Sequence, residues 1–119
     1  MIIDRIRLTA AAKVQLSTLK RRYGLEHNNT ICRYALCMSL ATPGELIQEE
    51  LSFLGGLEID WKTFTTGNED FYINLVKAWS ENNAQHVDDE SIKRYITLHV
   101  HRGLSFLSGR SERLEFMLE

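Results

Sequence analysis

From Asp4 to Thr9 the chain alternates polar and apolar positions, with Ile6 and Leu8 on one face and Arg5, Arg7 and Thr9 on the other. That period of two predicts a short strand within residues 2–9. The period then changes. Thr9 is a good N-cap before three alanines, and Ala12, Leu16, Leu19 and Tyr23 recur at helical spacing. A first helix is therefore expected over 10–23, stopped by Gly24 as a C′ residue. A second helix, capped by Asn28 or Asn29, is expected over about 29–41 and ends at Thr42-Pro43-Gly44. Only Thr30, Arg33 and Ser39 interrupt its apolar surface. Such a helix needs cover on all sides, and a small chain has little interior, so an oligomer whose interface includes this helix is expected.

Residues 45–68 are less regular. Leu46, Ile47, Leu51, Phe53 and Leu54 fit a short helix or a strand, and Gly55-Gly56 a turn. Leu57 to Lys62 alternate as an edge strand or hairpin arm would. Tyr72, Leu75, Val76 and Trp79 mark a third helix over 69–82. A fourth is expected over about 89–108, started by Asp88-Asp89-Glu90 and ended by Gly109. Its buried side is Ile92, Ile96, Val100, Gly103 and Leu107. Gly103 inside that stripe costs about 1 kcal/mol of helix propensity, which the close approach of another helix would explain. The expected fold is mainly α and single-domain. A basic strand–helix–helix unit (1–41) precedes a mainly helical part (42–109) and a charged tail (110–119) that frays.

The 119 residues are 44% apolar and 25% charged, the balance of one ordinary globular domain. No apolar run approaches the ~20 residues of a membrane span, and the N-terminus lacks the apolar core of a signal peptide. A cytoplasmic protein is expected, with no membrane association. The net charge of −2 conceals an asymmetry. Residues 1–33 carry seven bases and two acids, whereas residues 34–119 carry seven bases and fourteen acids. A basic head on an acidic body is a footprint for phosphate contact, although a solvated basic helix face gives the same asymmetry.

Catalytic chemistry is hard to assemble. Cys32 and Cys37 point about 140° apart on one helix, which suits buried free thiols better than a disulfide or metal pair. His99 and His101, two apart on a helix, face opposite sides, so His99 is expected to be a hydrogen-bonded structural or interface residue. The carboxylate pairs match no hydrolase spacing, and no phosphate-cradling or nucleophile motif is present. No catalytic residue, cofactor or metal is expected. The order strand–helix–helix, by contrast, is that of a ribbon-helix-helix DNA-binding unit. There two chains pair their strands into a ribbon that enters the major groove. Arg5, Arg7 and Thr9 would face outward, and the second helix would offer N–H groups at Asn29 and Thr30 to a phosphate. The competing reading is a strand paired inside its own fold beside a basic, water-facing helix.

The chain also resembles the DndE family of DNA sulfur-modification (phosphorothioation) proteins. Three segments carry the likeness: Arg7-Leu8-Thr9 with Leu16 to Gly24, Cys32 to Ala41, and Leu98 to Gly109 with its His-x-His-Arg-Gly core. Trp61-Lys62-Thr63-Phe64 with Gly67 adds a weaker fourth. The resemblance implies a small helical homotetramer that binds duplex DNA, preferring nicked duplex, through a basic surface and acts beside DndC and DndD. It carries over Lys20, Arg21 and Arg22 as basic DNA-contact positions, to which the charge pattern adds Arg5, Arg7 and Lys13. Arg33 and Arg102 match other motifs and are expected, with His99 and Gly103, in packing or interface roles. Two alternatives stand beside this reading. One is a sequence-specific ribbon-helix-helix transcription regulator, and the other an assembly scaffold that does not touch DNA.

Overall fold

The computed structural model describes the backbone of residues 1–118 and the side chains of residues 1–109. The chain runs β1 (Arg5–Leu8), α1 (Ala10–Tyr23), α2 (Asn28–Ala41), β2 (Leu57–Asp60), α3 (Trp61–Thr65), α4 (Glu69–Asn82) and α5 (Asp89–Leu118). Thr9 caps α1 as expected, its hydroxyl accepting from Ala12 N. Gly24 closes the helix in the left-handed conformation (φ 63°) that an L side chain adopts only at a cost.

β1 finds its partner within the chain. It pairs antiparallel with β2, Ile6 opposite Ile59 and Arg7 opposite Glu58, and Trp61 N donates to Asp4 O at the end of the ladder. Ile6 and Leu8 turn into the core beneath α5. Within the chain this is the expected alternative of a strand paired inside its own fold, with α1, α2 and the loop after them lying between the two strands in sequence. Leu57 to Asp60 carry the matching alternation.

The second half of that alternation departs from expectation. Trp61 and Lys62 do not continue the strand. Asp60 accepts from Thr63 N at 3.0 Å and starts α3 instead. Neither helix nor strand forms between Leu46 and Phe53. Asn28 and Asn29 do not cap α2 but lie in its first turn, after His27. Gly109 does not end α5, which continues to Leu118. At 1.5 Å per residue this helix is about 45 Å long, the full 46 Å length of the molecule.

α2 lies among α1, α3 and α5. Ile31, Cys32, Ala35, Leu36 and Ser39 are buried, leaving Tyr34, Cys37 and Ala41 exposed. Most of the cover this apolar helix needs thus comes from its own chain. Its crossing with α5 is close. A Cβ built on Gly103 would land on the Ala35 carbonyl oxygen and stand 2.6 Å from Ala35 Cα. No helix among the described residues is long and apolar enough to cross a membrane.

Candidate nucleic-acid interface

α1 sets the basic surface. Its fourteen residues include Lys13, Lys20, Arg21 and Arg22 and no acid. Ala12, Leu16 and Leu19 hold one side in the core. At 100° per residue, Lys13 and Lys20 then lie on one flank, Arg21 on the side away from the core and Arg22 on the other flank. Lys13, Arg21 and Arg22 are exposed and Lys20 is half-buried. The three bases of the last turn also complement the negative end of the helix dipole, which helps to explain their place in the fold.

Four residues, 24–27, separate this basic end from the start of α2. His27 occupies the cap position without a side-chain cap bond, and the first turn of α2 contains no acid. The leading N–H groups of α2 are thus not capped by its N-cap side chain, next to a cationic helix end. The Asn29 side chain itself is taken up by α3, donating to Thr63 O at 3.0 Å. Thr30 Oγ1 lies 3.5 Å from Arg33 Nη2, and Arg33 Nη1 donates to Phe64 O at 2.8 Å. Asn29 and Arg33 therefore tie α2 to α3, and any anion contact at Asn29 and Thr30 is left to their backbone amides.

Arg5 and Arg7 sit apart from this corner. Both reach Glu58, at 3.4 and 3.5 Å, and the Arg7 guanidinium lies 4.8 Å from the Phe53 ring centre. A carboxylate shared between them removes much of the positive field that the sequence assigned to the strand.

The two histidines of α5 both bridge to other segments. Arg102 Nε donates to Ser39 Oγ at 2.8 Å, and Ser39 Oγ lies 2.7 Å from His99 Nδ1. The guanidinium can only donate, so Ser39 Oγ accepts from Arg102, and its hydroxyl is shared between that cation and the imidazole. Nε2 has no hydrogen-bond partner, and the Trp79 ring packs edge-to-face on the imidazole with centres 4.3 Å apart. Burial, and then the Arg102 charge, press the His99 pKa down to about 4. His101 donates from Nδ1 to Thr97 O and accepts Thr9 N–H on Nε2 at 3.1 Å. It thereby ties the β1–α1 corner to α5. Burial lowers its pKa as well, against an opposing hydrogen bond to Thr97 and the Glu49 charge.

These shifts predict acid sensitivity. Between about pH 6.5 and 4 the unfolded chain binds a proton at residue 99 that the folded chain refuses, so stability falls as pH falls through that window. The loss between pH 7 and 4.5 from this fully buried group is roughly 2–3 kcal/mol. Urea unfolding at the two pH values, on the parent and on His99→Gln, measures it. An equal acid loss in both proteins would exclude His99 as the source.

The His101–Thr9 bond spans 92 positions and has no signal in the sequence. The role of Arg102 is equally hidden there, because the carbonyls it binds become neighbours only when α2 ends against α5. Among the described residues no three of His, Cys, Asp and Glu converge to hold a metal.

The fold and this corner together define a small, mainly helical protein with one acid-free basic helix leading into a second helix. The family described as DNA sulphur modification protein DndE matches residues 5–114, and the chain belongs to that family. The fold is shared with the crystal structure of DndE from Escherichia coli B7A, a protein involved in DNA phosphorothioation modification. That likeness has a TM-score of 0.73 at 19% identity and covers 90% of this chain and 98% of that one. No curated protein matches the chain.

Proposed function

We propose that this protein is a non-catalytic DNA-binding subunit of the phosphorothioation machinery. In this reading it grips duplex DNA, nicked duplex by preference, in the cytoplasm, as a homotetramer beside DndC and DndD. The observation that carries the reading is the continuity of the acid-free face of α1 with the amides that start α2. Lys13, Lys20, Arg21 and Arg22 supply charge, and the amides at Asn29 and Thr30 supply direction. Contacts of this kind position phosphates without reading sequence. Four copies would repeat the segment's surplus of five charges over one assembly.

The test is DNA binding against salt. If each bound site neutralises about six phosphates, log K should fall with log[salt] at a slope near −5. A Lys20→Ala/Arg21→Ala variant should bind every sequence about tenfold more weakly and flatten the slope by about 2. Unchanged affinity in a folded variant would remove these residues from the site. The regulator reading needs Arg5 and Arg7 free to read bases, and their shared Glu58 argues against it. Co-purification with DndC and DndD without any DNA binding would favour the scaffold.

A further inference from the structure

The stripe that buries Ala12, Leu16 and Leu19 continues to Tyr23, which lies beyond the edge of the core and is 51% exposed. The ring follows Arg22 in the chain and neighbours Lys20 one turn back on the helix surface. The turn after it exposes Leu25 and His27 rather than covering it. A large aromatic side chain is thus left half in water at the end of an acid-free basic helix. Aromatic faces set among cations are how proteins hold unstacked bases, since every base has a flat π-face and the cations follow its phosphates. An intact duplex keeps those faces stacked. A break or gap exposes one.

We propose that Tyr23 is a stacking platform for an unpaired or terminal base, and that it sets the preference of the basic corner for interrupted duplex over continuous duplex. The inference rests on the proposed DNA-binding function and assigns the base-contacting residue of that same site. Lys20, one turn back on the same side, holds the adjoining phosphate, and Tyr23 takes the base that continuous duplex does not offer. The Tyr23 hydroxyl is not required, so phenylalanine should substitute for it.

The experiment uses the full chain and a duplex with a one-nucleotide gap, carrying 2-aminopurine at the gap edge. Binding of the parent protein should quench the 2-aminopurine fluorescence, as stacking on an aromatic ring does. Tyr23→Ala should lose the quenching and lower affinity for the gapped duplex about tenfold, without changing the salt slope. Tyr23→Phe should keep both within about twofold and also guards against a folding artefact in the alanine variant. Quenching that persists in a folded Tyr23→Ala protein, or Tyr23→Phe failing as alanine does, would overturn the assignment. Salt-dependent binding by the parent without quenching would overturn the stacking role alone. Absence of salt-dependent binding to any DNA would overturn the underlying function as well.

Discussion

Gly103→Ala should destabilise the protein by about 3 kcal/mol or more, although alanine is the better helix former by about 1 kcal/mol. The added methyl meets backbone, not a flexible side chain, because the Ala35 carbonyl and Cα occupy its place. Relief requires α2 and α5 to separate along their crossing. Separation would in turn stretch the Ser39–His99 and Ser39–Arg102 bonds, which span the same two helices. A cost of this size should lower Tm by roughly 10 °C or more in a chain of this length. Thermal and urea unfolding of the variant measure it. A neutral or stabilised Gly103→Ala protein would mean that the helices do not meet this closely.

Local signals carry much of this architecture in the sequence. Thr9 and Gly24 bracket α1, and two acids followed by an apolar stripe mark α4. Gly103 is legible because a glycine within a buried helical stripe gives up helix propensity, and a close backbone crossing is what offsets that loss. The features that the sequence conceals depend on contacts between distant segments. Trp61 opens a helix only because Asp60 turns its carboxylate onto Thr63 N, which a two-residue period conceals. Gly109 offers a stop signal, but a glycine ends a helix only where the chain turns away, and here it stays helical. The same holds for the site. The cations of α1 are visible as cations because no acid shares the helix, whereas Arg5 and Arg7 look equally basic until Glu58 comes opposite them.

Arg102 spends its guanidinium on its own chain. Its Nη2 donates to Ser39 O at 2.7 Å and Thr42 O at 2.9 Å, and its Nε to Ser39 Oγ. These acceptors are the end of α2, where unpaired carbonyls and the negative end of the helix dipole favour a cation. Arg102→Ala should therefore cost about 2–4 kcal/mol, since charge-assisted bonds to the Ser39 hydroxyl and carbonyl are lost and the Thr42 carbonyl gives up its guanidinium donor. Arg102→Lys should recover only a fraction, because an ammonium cannot present the planar fork that reaches the serine hydroxyl and the two carbonyls together. A double-mutant cycle with Ser39→Ala separates the shared bond from the rest and should give a coupling of at least about 0.5 kcal/mol. If Arg102 contacted phosphate instead, its removal would flatten the salt dependence of DNA binding by about 1 and leave unfolding unchanged. Loss of stability at an undiminished salt slope is the expected result, and it places the cost in the α2–α5 joint that holds α1 in position.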